Sequence, residues 1–198
     1  MSGFRCQALP TIFVFAETSA MKLRIVVMKR ITLVTGGSRS GKSKIALHLA
    51  APYGNKAFIA TAEATDDEML ARIERHRRER DSSYLTVEEP LNLDMALKSL
   101  PEKTEVAVLD CITVWLGNLF YREKIIDGAC PEINAFLDIL DCPPCHLILV
   151  TNEIGMGVIP ADSATRHFRD IAGSLNQQLA ERAHEVILSV SGIPLRVK

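Results

Sequence analysis

The segment Gly36-Gly37-Ser38-Arg39-Ser40-Gly41-Lys42-Ser43 constrains this chain more than any other feature. It matches the pattern G-x-x-x-x-G-K-[ST], and its flanks are those the pattern needs. Ile31 to Thr35 is short and rich in β-branched residues, which predicts a buried strand, and Ser43 to Ala51 has helical periodicity. A strand, a glycine turn and a helix in that order let backbone N–H groups close around phosphate oxygens, and the helix N-terminus adds positive potential. Lys42 is then placed to bridge the β and γ phosphates of a nucleoside triphosphate, and the Ser43 hydroxyl to ligate Mg²⁺. The bland alternative, an ordinary Gly/Ser turn, explains neither flank.

Further apolar runs at Lys56 to Ala60, Val106 to Asp110, Leu147 to Thr151 and Val186 to Val190 alternate with helical stretches, Asp66 to Arg80 and Asp162 to Ala183 among them. That alternation predicts an α/β fold, a mostly parallel sheet flanked by helices in the manner of P-loop NTPases. Ser191 to Pro194 reads as a turn, and Leu195 to Val197 as an antiparallel edge strand. With 198 residues, one domain is expected over 31–198, and residues 1–30 are expected to be an extension, with Met21 or Met28 as alternative starts. The apolar run Ile12 to Ala16 is too short for a signal peptide core or a membrane span.

Composition excludes some partners. A net charge of -1 provides no global field for nucleic acid or an anionic membrane. The one basic cluster, Arg72, Arg75, Arg77, Arg78 and Arg80, reads either as a solvated helix face or as a local phosphate site. Five cysteines without paired spacing suit a reducing compartment, so a cytoplasmic location is expected. Cys142-Pro-Pro-Cys145 is the one pair with redox or zinc spacing, and His146 alone does not complete a metal site.

A phosphate-binding loop of this type works with an acidic residue at the C-terminal end of a nearby strand, and Asp110 fits as a second Mg²⁺ ligand. The competing reading makes it the N-cap of a helix beginning near Ile112. A signalling GTPase is not expected, because Asp170-Ile171-Ala172-Gly173 falls within a helical stretch and Asn55-Lys56 lacks the aspartate of N-K-x-D. On the helix over 66–80, Met69, Ile73, His76 and Arg80 recur at helical spacing, so His76 is expected to face inward. There it is either a core histidine or a nucleophile able to form a phosphoramidate.

In order along 31–198, the chain carries the P-loop, Ile59-Ala60-Thr61-Ala62, Asp66-Asp67-Glu68-Met69, Ala71-Arg72-Ile73 with His76, and Asp110-Cys111-Ile112-Thr113. Val150 to Gly157, Arg166 to Gly173 and Asn176-Gln177 follow. This ordered series resembles the bifunctional adenosylcobinamide kinase/adenosylcobinamide-phosphate guanylyltransferase family. The resemblance implies two reactions: phosphorylation of adenosylcobinamide by ATP or GTP, then GMP transfer from GTP through a guanylyl-histidine at His76. Arg75 stands where some relatives carry another histidine. The nucleotide contacts it implies are Gly36, Gly37, Ser38, Arg39, Ser40, Gly41, Lys42 and Ser43, with Thr61, Ala62, Glu63, Arg77, Arg78, Glu79, Arg80, Glu88 and Asp110. It further implies Mg²⁺, a corrinoid substrate and a homo-oligomer, with a trimer as the expected form. Two other readings stay open at the level of sequence. One is a single-activity small-molecule kinase in which His76 is structural, and the other is a nucleotide-regulated binding protein.

Overall fold

The computed structural model describes residues 29–78, 83–125 and 130–198. Seven strands form one sheet: β1 (Ile31–Gly36), β2 (Lys56–Ala60), β3 (Tyr84–Glu88), β4 (Val106–Asp110), β5 (His146–Val150), β6 (Glu185–Val190) and β7 (Ile193–Arg196). Their spatial order is β3-β2-β4-β5-β1-β6-β7, parallel throughout except for the β6–β7 pair. The helices are α1 (Lys42–Ala50), α2 (Asp67–Arg78), α3 (Leu93–Lys98), α4 (Ile112–Tyr121), α5 (Pro131–Asp141) and α6 (Ser163–Arg182).

Alternation along the central strands sorts side chains onto two faces. Leu33, Ala107, Leu109, Leu147 and Leu149 join one apolar cluster with Trp115, Phe136, Leu175 and Leu179 from α4, α5 and α6. Val34, Val106, Val108, Ile148 and Val150 join the other, with Ala46 and Ala50 from α1. Trp115 is fully buried, edge-on to Phe136 at 5.1 Å, and its indole N–H donates to the Leu91 carbonyl at 2.7 Å. A large ring is accommodated there because its one polar atom has a partner.

Two elements depart from the sequence-based expectation. Tyr84–Glu88 is a strand although only Leu85 and Val87 are aliphatic; it lies at the edge, where a single buried neighbour, β2, supplies its hydrogen bonds. The turn expected over Ser191 to Pro194 is shorter. Ser191 (φ 51°) and Gly192 (φ 84°) alone make it, and Ile193 and Pro194 already belong to β7. Two left-handed central residues suit the twist of a tight hairpin, and a proline is tolerated on an edge strand. The expected helix over 66–80 begins with Asp66 as its cap, the Oδ1 atom accepting from the Met69 N–H at 2.7 Å. Cys142 is exposed whereas Cys145 sits in the core, where burial pushes its thiol up to about 11 and so disfavours the thiolate that redox or zinc chemistry needs.

At the N-terminal edge of the sheet, His146 stacks on Tyr53 with ring centroids 5.5 Å apart. Burial, aided by the nearby Arg30 and His184 charges, pushes its imidazole down to about 4. A histidine that is neutral in the fold but titrates near 6.5 when unfolded stabilises fully above pH 6.5, and that stability is lost as pH falls from 6.5 towards 4. The loss should reach on the order of 2 kcal/mol after allowance for partial solvent screening. Urea unfolding at pH 7 and pH 5 is expected to show this drop in the wild type and a smaller one in His146→Gln.

Candidate active site

β1 ends at Gly36 (φ 145°), and the chain turns through Gly37, Ser38 and Arg39 before entering α1 at Gly41 (φ 94°). The first three turn residues are exposed, whereas Ser40 and Lys42 are buried. The Lys42 ammonium is folded over the loop and donates to the Gly37 carbonyl at 2.6 Å. Ser43 lies in the first turn of α1, half-buried, where the positive end of the helix dipole favours an anion.

The loop is tied to its surroundings by backbone bonds. The Glu153 N–H donates to the Gly36 carbonyl at 3.0 Å, and the Thr151 N–H to the Val34 carbonyl at 3.0 Å. Behind them runs a closed ring of hydrogen bonds. The Asn152 N–H donates to Thr113 Oγ1 (2.8 Å), the Thr113 hydroxyl donates to Thr151 Oγ1 (3.1 Å), and the Thr151 hydroxyl donates to Asn176 Oδ1 (2.8 Å). The Asn176 amide closes the ring on the Asn152 carbonyl at 3.1 Å. This ring fixes the start of the loop after β5, from which Met156, Val158 and Ile159 project into solvent.

Asp110 ends β4 half-buried, and Cys111 occupies the N-cap position of α4, so Asp110 is a strand-end residue and not the helix cap. It pairs across the sheet with Val150, which pairs with Val34. Two strand spacings therefore separate it from β1, roughly 10 Å, with β5 in between. Asp110 also lines a cavity of about 360 Å³ together with Ala62, Glu63, Arg77 and Glu88. Phe58, Met69, Ile73 and Val114 supply apolar walls. The volume lies within the range of small-ligand pockets, and apolar walls with a few converging polar groups are their usual chemistry.

Most of the residues singled out from sequence thus fall on one sheet edge, in two neighbouring groups. Arg77 is ion-paired with Glu88, Arg78 with Glu74 at 3.5 Å, and Glu63 with Arg122 at 2.6 Å. Thr61 has a different part. It is fully enclosed, its hydroxyl donating to the Cys111 carbonyl and accepting from the Cys111 N–H, both at 2.9 Å, so it rivets the ends of β2 and β4 together. His76 lies on α2, one residue before Arg77. Glu79 and Arg80 lie outside the described residues. Arg122, Thr113, Thr151 and Asn176 escaped assignment because their partners are 25 to 59 residues away in sequence.

The chain matches the family model for cobinamide kinase/cobinamide phosphate guanyltransferase over residues 32–197. It belongs to that family. It is 41% identical over 181 residues to the bifunctional adenosylcobalamin biosynthesis protein CobU of Escherichia coli K12, covering 84% of this chain and 98% of that protein. It is 43% identical over 169 residues to the bifunctional adenosylcobalamin biosynthesis protein CobP of Pseudomonas aeruginosa, covering 84% and 96%. The match runs through the P-loop and the cavity alike. Among the described residues no helix is long and apolar enough to cross a membrane, and no three His, Cys, Asp or Glu side chains are grouped to hold a metal.

The double bond between Thr61 and Cys111 gives a test of the site's framework. Thr61→Val keeps the shape but leaves a buried N–H and a buried carbonyl without that partner, which should cost about 2–4 kcal/mol in urea unfolding. An unfolding free energy within 0.5 kcal/mol of wild type, well inside the ~1 kcal/mol expected for even one lost bond, would show that the hydroxyl carries no such load.

Proposed function

We propose that this chain carries out both reactions of its family at the C-terminal edge of the sheet. The first phosphorylates the aminopropanol hydroxyl of adenosylcobinamide with ATP or GTP. The second moves GMP from GTP to the product, giving adenosyl-GDP-cobinamide and pyrophosphate in cobalamin biosynthesis. The observation that carries the reading is the juxtaposition of a P-loop with the cavity bearing Asp110, Arg77 and Glu88, in a chain matched to the family over 32–197.

In the kinase step the substrate hydroxyl attacks the γ-phosphorus, its proton passes to solvent, and the nucleoside diphosphate leaves. Lys42 and the N–H groups of Gly41 to Ser43 offset the charge that gathers on the phosphate oxygens. In the transfer step a neutral His76 nitrogen attacks the α-phosphorus of GTP and releases pyrophosphate. A phosphate oxygen of adenosylcobinamide phosphate then attacks the guanylyl-histidine and restores the imidazole. Position 76 follows Ile73 by three residues and precedes Arg77, both of which line the cavity, and this supports α2 as the helix that brings the nucleophile to the nucleotide.

The donor set fits Mg²⁺. A hydroxyl at Ser43 and a carboxylate at Asp110 are hard oxygen donors, and this ion needs few protein ligands because phosphate oxygens and water complete its shell. When bound it adds countercharge to the triphosphate. A homo-oligomer, with a trimer as the expected form, belongs to the same reading. The exposed apolar residues Ile193 and Leu195 on the edge strand, with Val197 just beyond it, support such an association.

Incubation with Mg²⁺ and α-labelled GTP, followed by denaturation, should leave acid-labile, base-stable label on the wild-type chain and none on His76→Ala. The same variant should keep its kinase activity towards adenosylcobinamide. Equal loss of both activities would favour a structural His76, and absence of label on a wild type that binds GTP would favour the single-activity kinase. Lys42→Ala is expected to slow both reactions by about 100-fold or more; normal GTP turnover in that variant would refute the P-loop assignment.

A further inference from the structure

The P-loop is held at one peptide from the far end of the chain. The Ser40 carbonyl accepts two hydrogen bonds, from the Ser189 hydroxyl at 2.5 Å and from the Gly192 N–H at 2.8 Å. Both donors belong to the β6–β7 hairpin, and Ser189 is 149 residues from Ser40 and 1% exposed. The hairpin approaches too closely for a side chain at Gly36 or Gly41. A Cβ at Gly36 would come 2.4 Å from the Ser189 carbonyl oxygen, and one at Gly41 would come 3.1 Å from the Gly192 Cα.

In a trans peptide the carbonyl and the following N–H point in opposite directions. Among the described residues the one cis bond is Asp110–Cys111, so the Ser40–Gly41 peptide is trans. Two donors that hold the Ser40 carbonyl on the hairpin side therefore aim the Gly41 N–H to the opposite side of that peptide, away from the hairpin. That N–H is one of the groups that a P-loop offers to phosphate. Without the donors the peptide can rotate about its flanking φ and ψ, and Gly41, lacking a Cβ, offers little resistance.

We propose that Ser189, assisted by Gly192, is a positioning residue for triphosphate binding, which aims the Gly41 N–H at the nucleotide by anchoring the carbonyl on the other side of the same peptide. This rests on the reading of Gly36 to Ser43 as the nucleotide cradle. Ser189 touches no phosphate itself. It acts through the orientation of one peptide plane, and its effect is confined to ligands whose β and γ phosphates occupy the loop.

The test is equilibrium titration of the full chain with α,β-methylene-GTP, which cannot transfer GMP, and with GMP, for wild type, Ser189→Ala, Ser189→Thr and Lys42→Ala. Ser189→Ala should bind the triphosphate about five- to tenfold more weakly, the scale of one lost hydrogen bond, with GMP affinity within about twofold of wild type. Its KM for GTP should rise while kcat changes little. Ser189→Thr, which keeps the donor, should restore triphosphate affinity. Wild-type triphosphate affinity in Ser189→Ala, or equal weakening of GMP, overturns the proposal, as does a threonine variant that binds like alanine at an unchanged unfolding midpoint. Should the alanine variant fail to fold, Ser189→Cys, close in size with a much weaker donor, is judged by the same criteria. Undiminished triphosphate binding by Lys42→Ala would instead overturn the cradle reading, so the two failures are told apart.

Discussion

Everything at the active edge depends on β1 being paired on both sides. Its parallel ladders with β5 and β6 satisfy the backbone from Ile31 to Gly36, and the strand is buried along almost its whole length. A strand so held can end abruptly, and the sharp exit at Gly36 puts the following loop above the sheet with no freedom to drift. The loop after β5 and the hairpin after β6 flank it as direct continuations of the two neighbouring strands. Each contributes bonds to the P-loop because register leaves it nowhere else to go.

The division of labour between apolar and polar groups follows from this. The two faces of the sheet are held by aliphatic and aromatic side chains, which set the strand order but tolerate small shifts. Precision at the C-terminal edge comes from polar pins: Thr61 on Cys111, the ring through Thr113, Thr151, Asn176 and Asn152, and Ser189 on Ser40. Thr61, Thr151 and Ser189 are at most 1% exposed, so breaking one of these bonds strands a donor or acceptor away from water. Phosphoryl and nucleotidyl transfer rely on positioning and on charge stabilisation, both of which fail with displacements of an ångström or so. Buried hydroxyls near, but outside, the reacting region suit that demand.

Ion pairs around the cavity work differently. Arg77 with Glu88 and Arg122 with Glu63 are close to solvent, and such pairs add little to stability. Their charges remain available for exchange with a charged ligand at small cost. The cavity therefore combines apolar walls, which define shape, with cations and carboxylates that are held loosely. The P-loop beside it is by contrast rigidly framed.

Local chemistry made much of this legible in advance. Short apolar runs marked β1, β2, β4, β5 and β6, and the glycine spacing marked the P-loop turn between β1 and α1, because each depends on residues adjacent in the chain. Tyr84–Glu88 was not legible, since a half-exposed edge strand takes its stability from its neighbour β2 and not from its own pattern. The two-residue turn at Ser191-Gly192 was blurred by Pro194, which marks a turn in isolation but sits in an edge strand here. The sequence by itself determined the fold class, the phosphate loop and the family. Only the tertiary structure decided that Asp110 stands two strands from β1, that Thr61 is a rivet, and that Ser189 and Gly192 hold the Ser40 carbonyl. Those are contacts between segments tens to more than a hundred residues apart, and their strength comes from burial and register, which no local pattern encodes.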